Sequence, residues 1–224
     1  MLIRDRMTAP VLTADPQTSV HDALTMMKSR RIRRLPVMHR ARLVGIVTWT
    51  DVMRASPSHA TSLSAFEIPK LLMQERVGNI MTRELITVPP TATIEHAAVL
   101  MRRHKIGGLP VVENGRLVGI ITESDLFDAF IDLMGLRSGG ARLTIELPAH
   151  VTALDDVVHA IRECDVRIRS LAAYPAAGGT QMVVRVDTPY PLHVVQTLVE
   201  RGINVLHLAP LPSEPAEAPA AHTG

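Results

Sequence analysis

Cysteine occurs once in 224 residues, at Cys164. No internal disulfide can form, and the chain points to a reducing compartment, with Cys164 expected as a small apolar residue at the end of a helix. Aromatic residues make up only 3%, so the core must be built from Leu, Ile, Val, Met and Ala. Few rings remain for stacking on bases, which counts against a single-strand nucleic-acid binder. No apolar run of about 18 residues occurs that would span a bilayer, and the opening MLIRDRMTAP lacks the apolar centre of a secretory leader. The expectation is a cytoplasmic protein with no membrane partner. Phosphate-loop and nucleophile-elbow patterns are missing, and the ten histidines are scattered. Neither a metal site nor a catalytic constellation is expected, and no catalytic cofactor.

What is present suffices for ordinary folding: 46% hydrophobic and 21% charged residues, in a length that accommodates about two small domains. The formal charge is +2 and the isoelectric point near 9.0. Six arginines, Arg30, Arg31, Arg33, Arg34, Arg40 and Arg42, fall within 13 residues. They read as a solvated or anion-facing patch of a folded domain; the competing reading is a nucleic-acid surface.

The sequence repeats itself at an offset of 74 residues without a gap. Met7-Thr8 meets Met81-Thr82, Leu35-Pro36-Val37 meets Leu109-Pro110-Val111, and Arg42-Leu43-Val44-Gly45-Ile46 meets Arg116-Leu117-Val118-Gly119-Ile120. Within each copy, Val20, Ala23, Leu24 and Met27, or Ile94, Ala97, Ala98 and Met101, form one apolar helix face. Two short strands follow, at 35–38 and 43–47 and again at 109–112 and 117–121, the second pair joined through Glu113-Asn114-Gly115. Thr48-x-Thr50-Asp51 and Thr122-x-Ser124-Asp125 then open another helix, where hydroxyl and carboxylate can cap free amides.

This order of helix, Leu-Pro-Val strand, Val-Gly-Ile strand and Thr-x-(Ser/Thr)-Asp resembles the CBS motif, and two in tandem resemble the paired Bateman module. The expected layout is motif 1 at 1–54, a packed connecting segment at 55–76 that includes the amphipathic stretch 63–72, and motif 2 at 77–134. The resemblance implies a module that binds an adenine nucleotide, AMP, ADP or ATP, as a regulatory ligand. The two vicinal hydroxyls of a ribose suit one carboxylate, and a helix start favours an anion. By position, the first site comprises Arg33, Arg34, Ile46, Thr48, Thr50 and Asp51 with Thr82, Leu85 and Ile86. The second comprises Gly107, Gly108, Ile120, Thr122, Ser124 and Asp125 with Thr8, Val11 and Leu12. The alternative for Asp51 and Asp125 is a purely capping role. Because Arg33-Arg34 in one copy stands where Gly107-Gly108 stands in the other, the two clefts are expected to differ in charge, the first preferring extra phosphates.

Beyond Gly135, Gly139 and Gly140 the pattern changes to βαββαβ: strand 142–147, a helix with Leu154, Val157, Val158 and Ile161 on its apolar face, strand 166–174, a turn at 175–179, strand 181–186, a helix over about 189–201 closed by Gly202, and strand 204–208. The fold class expected is therefore α/β (α+β), a tandem CBS pair followed by a ferredoxin-like unit at 141–210. That unit resembles an ACT domain. The turn Pro148-Ala149-His150 lacks the glycine that lets backbone approach an amino-acid ligand, which favours a pairing role; His150 reads as a polar turn residue. The order CBS, CBS, ACT-like resembles the bacterial acetoin utilization protein family. Residues 211–224 read as a disordered low-complexity tail. The implied function is regulation of an unidentified partner protein, in a homodimer, with nucleic-acid binding through the arginines at 30–42 as the alternative.

Overall fold

Helix α1 (Val20–Ser29) buries Val20, Ala23 and Met27, and its Ser19 cap accepts a hydrogen bond from the Asp22 amide at 3.0 Å. Its counterpart α4 (Ile94–His104) buries Ile94, Ala97 and Met101 under a Thr93 cap. The 74-residue repeat thus extends to the caps. Between and around them lie β1 (Arg34–His39), β2 (Arg42–Thr48), α2 (Trp49–Ala55), α3 (Val77–Ile80), β3 (Gly108–Glu113), β4 (Arg116–Thr122) and α5 (Glu123–Leu133). The computed structural model describes residues 1–55, 72–150 and 152–211. Residues 56–71 of the connecting stretch and 212–224 of the C-terminal tail lie outside these.

β1 pairs antiparallel with β2, and β3 with β4, each with a register shift at the same repeat position, Val37/Met38 and Val111/Val112. The second hairpin turns through Asn114 at φ 50° and Gly115 at φ 76°, as the Asn-Gly signal requires. The first makes the same turn through Arg40 and Ala41, both at positive φ, without glycine.

The opening segments are exchanged between motifs. Ile3, from the start of motif 1, is fully buried in the core of motif 2 with Val88, Leu109, Val111 and Ile121; Val77 and Met81, from the start of motif 2, are buried in the core of motif 1 with Val37 and Val47. Matching backbone bonds fix both exchanges: Ile3 N–H to Ala92 C=O at 2.9 Å, and Val77 N–H to Thr18 C=O at 2.9 Å. Met81 and Met7 lie over Gly45 and Gly119, where a Cβ would overlap the methionine sulfur. That close approach explains why the Val-Gly-Ile strand carries glycine in both copies.

The chain divides into two contact units, Met1–Leu126 and Phe127–Gly224, with the boundary inside α5. The second unit contains β5 (Gly140–Leu147), α6 (Ala153–Glu163), β6 (Ile168–Ala176), β7 (Gly179–Val186), α7 (Leu192–Glu200) and β8 (Val205–Leu211). They form one four-stranded antiparallel sheet ordered β6-β7-β5-β8. Leu143, Ile145, Met182 and Val184 on one face meet Val157, Ile161, Val194 and Leu198 of the helices. Three local expectations are corrected here. α6 buries Ala153, Val157, Ala160 and Ile161 and leaves Leu154 46% exposed, because the inner face runs through i, i+4, i+7 and i+8 from Ala153, one position round from Leu154. The 175–179 turn shrinks to Ala177-Gly178, since β6 runs on to Ala176 and pairs it with Gly179. α7 begins only at Leu192, after Pro191. Gly202 closes it with φ 75°, and Ile203 N–H bonds Leu198 C=O at 2.9 Å. Cys164 sits at the C-terminus of α6, its sulfur 3.4 Å from Thr197 Oγ1.

Candidate functional site

The exchanged openings bring each motif's entry strand beside the other's Val-Gly-Ile strand. Thr82 and Ile46 exchange backbone bonds at 2.9 and 3.0 Å, and Thr8 and Ile120 at 2.9 and 3.1 Å. Beside each bridge a cavity opens in the first unit, of about 920 Å³ at the Thr82 bridge and about 740 Å³ at the Thr8 bridge. Both fall in the range typical of small-molecule sites.

The first cavity gathers Arg33, Arg34, Ile46, Thr48, Thr50, Thr82, Leu85 and Ile86, eight of the nine residues expected there. The second gathers Thr8, Val11, Leu12, Ile120, Thr122 and Ser124. Gly107 and Gly108 line the first cavity instead, and Arg33 and Arg34 line both. The cause is steric: Arg34 extends over the bare backbone of Gly107-Gly108, where a Cβ on Gly108 would stand 2.8 Å from Arg34 Cδ. The charge contrast expected between an arginine cleft and a glycine cleft is therefore absent. Lys28, Arg31, Arg33, Arg34 and Lys105 line the first cavity against Glu84, and Arg30, Arg31, Arg33 and Arg34 the second against Glu123. Both cavities are cationic. Burial pushes the Arg34 guanidinium down from its ordinary value, and the Glu123 carboxylate opposes that shift.

Asp51 and Asp125 line neither cavity. Asp51 Oδ2 accepts from the Thr48 amide at 2.8 Å and the Thr48 hydroxyl at 2.6 Å, while Asp51 N–H bonds Thr48 Oγ1 at 3.3 Å. Asp125 repeats this with Thr122 at 2.7, 2.7 and 3.5 Å. These are reciprocal helix caps. The Thr48 and Thr122 protons are thereby engaged, whereas Thr50 and Ser124 make no side-chain hydrogen bond among the described residues.

Residue-by-residue carry-over missed Trp49, Glu123, Arg30, Arg31, Lys28 and Lys105. The repeat contains a signal for two of them: Trp49 and Glu123 occupy equivalent positions with unrelated chemistry, the one tryptophan of the chain on the first cavity and a carboxylate on the second. Arg31 and Lys105 are likewise equivalent and both adopt positive φ, at 51° and 54°, which turns the chain from helix to strand at the cavity wall. Arg40 and Arg42 lie at the far end of the β1–β2 hairpin from Arg34, so the six arginines do not share one surface. His150 is exposed in its turn, with Nδ1 3.2 Å from Thr152 Oγ1. No cluster able to hold a metal ion occurs among the described residues, and no helix among them is long and apolar enough to cross a membrane.

The chain is similar to several known proteins. The Bacillus subtilis CBS domain-containing protein YhcV is 29% identical over 142 residues, 63% of this chain and 92% of that protein. A Vibrio cholerae protein assigned to acetoin utilization has a structure 31% identical, covering 61% of this chain and 94% of its own, with a TM-score of 0.51. The CBS domain pair of protein MJ0100, solved in complex with 5′-methylthioadenosine and S-adenosyl-L-methionine, is 30% identical over 58% of this chain and 95% of its own, with a TM-score of 0.49. The model of the CBS domain matches residues 3–58 and 77–132, together half of the chain. With the repeat, the exchanged openings and the two bridged cavities, this match places the chain in the CBS domain family.

Proposed function

We propose that the first unit is a regulatory module that binds an adenine nucleotide in its two cavities and controls a partner protein, with no catalysis of its own. One observation carries this reading: two repeat-related cavities, each closed by the opening segment of the other motif and each lined by a free hydroxyl and several arginines. The cations suit phosphate, and charge-assisted hydrogen bonds from guanidinium are the strong ones. Asp51 and Asp125, anchored through Oδ2, leave Oδ1 for a ribose hydroxyl. AMP, ADP, ATP, S-adenosylmethionine and cyclic dinucleotides form the test panel. A ligand at a hundredfold its Kd stabilises the native state by about 2.7 kcal/mol, so a thermal shift is expected with an adenine nucleotide. A flat response to the whole panel would remove this reading.

The second unit we read as an ACT-like, ferredoxin-like domain, supported by its βαββαβ order and the sheet order β6-β7-β5-β8. Its role is pairing of copies: β6 and β8 present open sheet edges, and Ala149 stands where a ligand-approaching glycine would be needed. The proposed assembly is a cytoplasmic homodimer. Nucleic-acid binding through the arginines at 30–42 is the second reading. Salt-dependent retention on DNA that is indifferent to added nucleotide would select it.

A further inference from the structure

The two cavities share a wall, and it comes from motif 1 alone. Arg31, Ile32, Arg33 and Arg34 line both, whereas the equivalent Lys105, Ile106, Gly107 and Gly108 line only the first. The shared wall follows from the break in the repeat, because glycines at 107 and 108 leave the space into which Arg34 extends. There the guanidinium approaches Glu123: an Arg34 terminal nitrogen and Glu123 Oε2 both lie within 2.7 Å of the point that a Cβ on Gly107 would occupy. Glu123 is the acid of the second cavity, at the position Trp49 occupies in the first. Glu123 N–H bonds Gly107 C=O at 3.0 Å, just as its repeat counterpart Trp49 bonds Arg33 C=O through its N–H at 2.8 Å.

We infer that Arg34 is a single cation serving two phosphate-binding cavities, so that a nucleotide in the first weakens binding of a nucleotide in the second. This rests on the nucleotide reading above. A phosphate in the first cavity draws the guanidinium toward itself and away from Glu123. The carboxylate then has one cation fewer to offset it in the wall of the second cavity, where an incoming phosphate meets more like charge. Coupling free energies are reciprocal, so filling the second cavity weakens the first by the same factor. Factors of about 5 to 150 are usual for such coupling. The chain would then respond over a wider range of nucleotide concentration than two independent sites.

The test is titration calorimetry of the full chain with AMP. Leu85→Trp fills the first cavity only and Leu12→Trp the second only, giving the affinity of each cavity with its neighbour empty of ligand. The second binding step of the unsubstituted protein is expected to be at least about fivefold weaker than those affinities predict, and Arg34→Ala should abolish the discrepancy. Adenosine, which has no phosphate to recruit Arg34, supplies a comparison free of substitutions: its two steps should match independent sites. AMP steps reproduced by the two isolated affinities, or an equal discrepancy with adenosine, would overturn the coupling while leaving the nucleotide reading in place. Absence of AMP binding to the unsubstituted protein would overturn both.

Discussion

Asp51 and Asp125 can serve a ribose hydroxyl or a helix cap from the same position. Their spacing from Thr48 and Thr122 suits a ribose carboxylate and a helix cap equally, and sequence cannot separate the two because both need an acceptor at the same helix position. The structure shows the cap in full, through Oδ2. Replacement with Ala therefore removes a cap as well as any ligand contact, and each substitution should lower stability by about 1 kcal/mol. Asn keeps an acceptor for the Thr amide but not the charge. The pair of variants separates the roles: Asp51→Asn with Asp125→Asn should hold near wild-type stability in urea unfolding and lose nucleotide affinity. Wild-type affinity in that double variant would leave the carboxylates with capping alone. Arg33 and Arg34 were legible as site residues, but their reach into the second cavity was not. It depends on the emptiness above Gly107-Gly108, a property of packing between two segments 74 residues apart.

At the scale of elements, periodicity located nearly every helix and strand of the first unit, since each has a clear buried face and a repeat to confirm it. The second unit was read in the right order with frayed boundaries: small residues, alanines in α6 and glycines in the β6–β7 turn, can be placed in either of two registers until the sheet selects one. α5 carries a feature that order alone does not explain. Phe127, Phe130 and Leu133 recur along it at 68%, 54% and 49% exposure, although the whole chain has only three phenylalanines. Large apolar side chains on one exposed stripe of a helix fit an interface between copies. The homodimer proposed above accordingly places this stripe against a second chain. Light scattering at micromolar concentration should return about twice 24.5 kDa, and Phe127→Ser with Phe130→Ser should shift the mass toward the monomer. A single-chain mass for the unsubstituted protein would exclude the homodimer.

For the molecule as a whole, the exchanged openings determine what can fold. Ile3 is fully buried among residues of motif 2, so its truncation is felt far along the chain. Ile3→Ala should destabilise by about 2 to 5 kcal/mol, with amide exchange accelerating first at Val88, Leu109, Val111 and Ile121 rather than at Val37 and Val47. Uniform loosening of both motifs, or no change, would contradict the exchange. The same exchange has a consequence for inheritance and stoichiometry. One 74-residue copy contains an opening segment whose host core is on the other copy, and a core whose missing segment is also on the other copy. A gene encoding one motif could yield a folded product only as a symmetric pair of chains. Fusion of the two copies converts that association from one governed by concentration into one built into the backbone, and it frees the copies to diverge. The unlike residues at 33–34 and 107–108, and at 49 and 123, require that each copy have its own coding sequence.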